Sequence, residues 1–177
     1  MAKLQIQERC CNIDNIKGFA YILGDDISTD DIVPSHALTL RDSQEMARST
    51  LEFIDPDFSK NINKGNIIIA GENFGTGSSR EEAVNVLKIL GVKAIIAKTF
   101  ARIYFRNLIN LGIPAITLNW EKSYFSKEDE LEISLIKGII FNRTKNKRFD
   151  FEKLPAFLTE ILNTGGIINQ LKIRLNL

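Results

Sequence analysis

The stretch 71-GENFGTGSSREEA-83 places three glycines, two adjacent serines, one arginine and three glutamates within thirteen residues. Glycines allow positive φ or a close approach of backbone to a ligand. A helix beginning here presents free N–H groups and a partial positive charge. Arg80 adds a planar fork matched to carboxylate or phosphate. A plainer reading is a helix cap, with Ser78 and Glu81, or Ser79 and Glu82, forming the S-x-x-E capping box. Capping accounts for one serine and one glutamate but not for three glycines, a second serine and an arginine at one turn. The stretch is therefore read as an anion site. A Walker A loop would need Lys after Gly77, where Ser78 stands. A dinucleotide fingerprint would need glycine at Arg80. No glycine follows Ser79 to make a nucleophile elbow. The anion expected is a carboxylate or a small phosphate.

A second constellation, 24-GDDISTDDIVP-34, holds Asp25, Asp26, Asp30 and Asp31 within seven residues. Asx-turns in a solvated loop explain it; Mg²⁺ or Ca²⁺ is the alternative, although the spacing misses the EF-hand pattern. His36 is the only histidine, which excludes any mechanism needing two within this chain. Cys10 and Cys11 are adjacent, a strained geometry for a disulfide, and two ligands are too few for a closed zinc or iron–sulfur site.

The elements that must position these residues follow from punctuation and periodicity. Residues 17–23 read as a first strand, the acidic stretch as a loop closed by Pro34, and 42–53 as a helix N-capped by Asp42. The apolar run 66–70 reads as a buried strand feeding the glycine-rich turn. Residues 79–90 have helical spacing and end at Gly91, and 92–97 form the next strand. That strand–turn–helix–strand unit favours a parallel pair. A helix over 100–111, a strand over 115–118, a hairpin over 131–143 turning at Lys137-Gly138, and a helix from Pro155 to Gly165-Gly166 complete a single mixed α/β domain spanning 1–177.

Composition is consistent with that domain. The 177 residues are 44% hydrophobic, with 23 Lys+Arg against 22 Asp+Glu and a net charge of +1. Near neutrality argues against a general nucleic-acid or membrane-surface binder. The sequence has no apolar run of transmembrane length and no signal-peptide h-region, so a cytoplasmic location is expected.

The two motifs together with 97-AKTFARIYFRNLINLGIPAI-116 resemble the swivel domain of the aconitase superfamily, in the form of the free-standing small subunits of 3-isopropylmalate dehydratase and homoaconitase. The resemblance runs from about Lys17 to Asn169. It implies a three-layer, swivelling β/β/α fold with a mixed sheet. It implies one half of a hydro-lyase that interconverts 2- and 3-isopropylmalate through isopropylmaleate in leucine biosynthesis. The partner, in a heterodimer or heterotetramer, would be a large subunit carrying a [4Fe–4S] cluster on three cysteines. This chain would bind no metal or cofactor, no nucleic acid and no membrane, but a small di- or tricarboxylate. By the family motif Ser78 takes the proton from carbon, and Ser79 and Arg80 hold a substrate carboxylate. Arg41, more loosely aligned, is a further carboxylate binder. Asp30, Arg106 and Asn107 support the site, and Ala37, Leu38, Thr39 and Leu40 form the substrate-specificity loop, within a segment 35–41 expected to be polar, exposed and mobile.

Two departures from the family pattern bear on substrate. Thr76 and Glu82 stand where many small subunits have Cys and His, and 35-SHALTL-40 lacks the usual Tyr-Leu pair. Apolar Leu40 suits an isopropyl group, whereas the extra carboxylate of homoaconitate calls for a cation, which favours isopropylmalate. Two other classes of function compete: a carboxylate-sensing module that works without a partner, and a stand-alone phosphate enzyme, against which the absence of lysine from 71–83 counts.

Overall fold

The computed structural model describes residues 13–62 and 65–176, so the Cys10–Cys11 pair lies outside the described residues. Seven strands form one mixed sheet: β1 (Ile16–Ile22), β2 (Ile67–Ala70), β3 (Ala94–Ala97), β4 (Ala115–Thr117), β5 (Glu130–Ser134), β6 (Ile139–Asn142) and β7 (Lys147–Asp150), in spatial order β4-β3-β2-β1-β5-β6-β7. The β1 to β4 neighbours pair in parallel, and β5, β6 and β7 join antiparallel from the other edge of β1. The helices are α1 (Thr29–Ile32), α2 (Ser43–Arg48), α3 (Phe58–Asn61), α4 (Glu82–Ile89), α5 (Arg102–Asn110), α6 (Ala156–Asn163) and α7 (Ile167–Arg174), with a 3₁₀ turn at Ala37–Thr39.

The all-apolar runs IIIA and AIIA of β2 and β3 are buried at every position. Strands covered on both faces need no polar alternation, and a parallel sheet with helical crossovers supplies that cover. Five isoleucines, Ile67, Ile68, Ile69, Ile95 and Ile96, are fully buried there, each contributing roughly 2 kcal/mol of transfer free energy. Helix α4 turns Ala83, Val84, Val86 and Leu87 inward, and α5 turns in Tyr104, Leu108 and Ile109.

Several boundaries depart from the pattern reading. The helix expected over 42–53 is capped by Asp42, whose carboxylate accepts from the Gln44 N–H, but it stops at Arg48. Leu51 then takes φ +58°, buries its side chain and donates its N–H to the Ile32 carbonyl, so tertiary packing ends the helix. The 24–34 segment holds a helical turn. Ser28 and Asp31 form its capping box, the motif that was sought one loop too late. Strand β7 and helix α7 were not read from the sequence. The 143–147 turn lacks the usual glycine signal, and Gly165-Gly166 looked like an end where it is a corner. Asn142, which opens an N-x-T sequence, has a structural role: its buried amide donates to Asp129 and to the Tyr124 carbonyl.

Candidate active site

Strands β1, β2 and β3 are parallel, so the loops leaving them emerge at one end of the sheet. Crevices at the carboxyl ends of such strands are where α/β folds place ligands. Three loops meet there, and main-chain bonds lace them together. Asp26 N–H donates to the Glu72 carbonyl at 2.8 Å, Gly75 N–H to Ile27 at 2.7 Å and Thr29 N–H to Thr76 at 2.7 Å. On the other side Phe74 N–H donates to Thr99 and Ala101 N–H to Phe74, both at 3.0 Å. The glycine-rich turn is thus the middle strip of a three-loop weave.

Its glycines serve the weave. Gly75 has φ +80°, and a β-carbon there would meet the Tyr104 ring at 2.2 Å. Gly77 has φ +101°, and its β-carbon would lie 2.9 Å from the Thr29 hydroxyl. That hydroxyl donates to the Ser78 carbonyl at 3.1 Å. Tyr104 is fully buried, donates to the Ala83 carbonyl at 2.9 Å, and has its phenol pushed well above the ordinary range by burial. A fully buried, neutral tyrosine that packs the turn from beneath is a structural pillar.

The capping reading of the serines does not hold. Helix α4 begins at Glu82, its N-cap is Glu81, and no side chain caps it. The turn is pulled towards Thr29 at Ser78, which keeps residues 78–80 out of helical conformation. Ser78 and Ser79 are exposed, and their hydroxyls are not spent on the helix end. They line a cleft of about 180 Å³ with Gly77, Arg102, Ile103 and Asn107. Enclosing sites for small molecules span roughly 300–1,000 Å³, so this cleft holds part of a ligand. The Asn107 amide donates to Ser79 Oγ at 3.4 Å, and that bond leaves the Ser79 proton for another acceptor.

Arg80 faces the other side of the turn. Its Nη1 pairs with Asp30 Oδ1 at 2.6 Å and donates to the Val33 carbonyl at 3.4 Å. Both contacts use one nitrogen, leaving Nη2 and Nε for a ligand. Asp30 is therefore brought to the site through Arg80.

The four loop aspartates are each committed. Asp25 accepts from Glu72 N–H, Asp26 from the Asn73 amide, and Asp31 from Ser28, while Asp30 holds Arg80. Among the described residues no group of three His, Cys, Asp or Glu could hold a metal ion.

The remaining expected site residues disperse. Arg41 is exposed beyond the 3₁₀ turn. In the 35–41 segment Ser35, His36, Thr39 and Arg41 are exposed, while Ala37 is fully buried and Leu38 and Leu40 are half-buried against the core, so the segment is exposed at its polar residues only. Arg106 lines the groove next door with Phe100, Phe105 and Thr117, outside the Ser78–Ser79 cleft. His36 pairs with Glu52 on the surface. Two cleft residues were missed, Arg102 and Ile103, the latter 55% exposed. The signal for them was their place at the first turn of a helix following a strand of the same parallel set.

Comparison with known proteins bears on this geometry. Residues 26–121 match the aconitase C-terminal domain family. A 3-isopropylmalate dehydratase small subunit of Thermotoga maritima is 48% identical over 158 residues, which is 89% of this chain and 95% of that protein. One from Archaeoglobus fulgidus is 44% identical, covering 85% of this chain and 93% of its own. The crystal structure of the 3-isopropylmalate dehydratase protein of Methanocaldococcus jannaschii superposes with a TM-score of 0.85 at 44% identity, covering 92% of this chain and 96% of that one. No helix among the described residues is long and apolar enough to cross a membrane.

Proposed function

The chain belongs to the aconitase C-terminal domain family, among the 3-isopropylmalate dehydratase small subunits, and from that premise we propose that it completes a hydro-lyase active site with Ser78 as its base. The reaction class is that of the family: reversible loss and return of water between 2- and 3-isopropylmalate, through isopropylmaleate, in leucine biosynthesis. A large subunit is the partner, and it carries the [4Fe–4S] cluster. The whole chain has two cysteines, too few for the three ligands such a cluster takes, and no alternative ligand group occurs among the described residues.

The single observation that carries the reading is the pair of exposed serines, both free of the helix cap, on one side of a cleft too small to enclose the substrate alone. In the proposed dehydration the carbon–hydrogen bond beside a carboxylate breaks and its proton goes to Ser78 Oγ, present as the alkoxide, which becomes the neutral hydroxyl. The electron pair forms the alkene as hydroxide leaves on the large-subunit side. Rehydration runs the same steps backwards at the neighbouring carbon. A serine hydroxyl is a weak base, so Ser78 needs nearby cations and exclusion of water. Closure of the large subunit over the cleft supplies the second. Ser79 and the free nitrogens of Arg80 bind the substrate's carboxylates, with Asn107 fixing Ser79 and Asp30 fixing Arg80.

Co-expression with a large subunit, anaerobic cluster rebuilding and an alkene-absorbance assay test the reading. Turnover is expected with 3-isopropylmalate. A complex with an intact cluster that turns over homocitrate or citrate instead refutes the substrate assignment, and ligand binding by the isolated chain with no partner refutes the hydro-lyase reading.

A further inference from the structure

The substrate named above carries two carboxylates, while the arginine of the serine motif is already compensated: Arg80 lies 2.6 Å from Asp30. An Arg–Asp pair is close to neutral towards an incoming anion. The cleft that Ser78 and Ser79 line contains a different cation, Arg102, in the first turn of α5. Arg102 is exposed, and among the described residues no carboxylate pairs with it. It faces the same cavity as Asn107, whose amide donates to Ser79 Oγ and so leaves the Ser79 proton as a second donor. An unpaired guanidinium and a free hydroxyl donor in one small cleft match the two oxygens of a carboxylate.

We propose that Arg102 is a substrate-binding residue of this chain, taking one carboxylate of the dicarboxylate together with Ser79, while the remaining nitrogens of Arg80, held in place by Asp30, take the other. The proposal rests on the hydro-lyase reading. It places an uncompensated positive charge on the cleft that Ser78 lines, and so also supplies part of the field that a serine base requires. The Arg80–Asp30 pair, being neutral overall, supplies less.

The test uses the reconstituted complex with its large subunit, comparing wild type, Arg102→Lys and Arg102→Ala on 3-isopropylmalate. The expected result is a KM raised about thirtyfold in Arg102→Ala and less in Arg102→Lys, with kcat falling by a smaller factor. Added methylguanidinium should lower the KM of Arg102→Ala and leave wild type unchanged, a rescue that a purely structural role would not give. A KM within about twofold of wild type in both variants overturns the proposal. So does failure of both variants to co-purify with the large subunit, which would assign Arg102 to the subunit contact. Absence of turnover in the wild-type complex overturns the functional reading as well, whereas active wild type with insensitive variants overturns this inference alone.

Discussion

The two halves of the sheet solve different problems. In the parallel half, β2 and β3 are buried at every position. In the antiparallel half, β5 alternates exposed and buried residues, and its outer face is tied by ion pairs: Glu132 binds Lys17 on β1 at 2.7 Å and Arg143 just beyond β6 at 2.5 Å. Tyr124 stacks on Phe149 at 4.5 Å across the same region. Hairpins spend their connections on tight turns. Parallel crossovers leave loops at one end of the sheet, where charged and polar groups converge at low cost to the core. The chemistry sits in the half whose strands are wholly buried and whose loops converge at one end.

This contrast can be broken or sharpened by experiment. Ser78→Ala should lower kcat of the complex by about a thousandfold, about 4 kcal/mol. The unfolding midpoint should stay unchanged, because Ser78 caps no helix. A shifted midpoint with normal kcat would make the turn a structural feature only. Gly75→Ala tests how rigidly the weave is built. The β-carbon meets the Tyr104 ring at 2.2 Å with φ at +80°, so denaturant unfolding should show a loss of about 3 kcal/mol. Arg80→Lys retains a charge for Asp30 but loses the fork, so KM should rise about tenfold to thirtyfold, about 2 kcal/mol, with little change in stability.

The smallest effect is expected in the other half. Glu132 is held below the ordinary glutamate range, first by the hydrogen bond from Arg143 and then by that from Lys17. A carboxylate lowered on folding adds stability above its unfolded pKa, and that stability is lost as pH falls through the folded value. Glu132→Gln should therefore cost about 0.5 kcal/mol at neutral pH and flatten the acid limb of the stability profile, leaving turnover unchanged. An activity change in Glu132→Gln would deny the separation of the two halves.

Much of this was legible in the chain. The order of strands and helices through the parallel half follows from apolar runs, Gly91, Gly112 and Pro114. The site turn follows from residue types that a cap alone does not explain. The capping box was real, but it belonged to Ser28 and Asp31 and not to Ser78. S-x-x-D and S-x-x-E look equally good in sequence, and only the Thr29–Ser78 bond decides which serine is drawn away from a helix. Gly75 has the positive φ its type suggests, but what crowds it, Tyr104, lies 29 positions on and on another element, beyond any local pattern.

Local pattern in the chain sufficed for the strands and helices of the parallel half, the anion-seeking turn and the family to which those motifs belong, because periodicity, punctuation and residue chemistry act over a few neighbours. What only the tertiary structure decided was which groups meet. Asp30 neutralises Arg80, Arg102 joins the serines, Ala37 turns into the core, and Arg106 falls outside the cleft. Those outcomes depend on strand order and on distances between loops far apart in the chain, which no local pattern encodes.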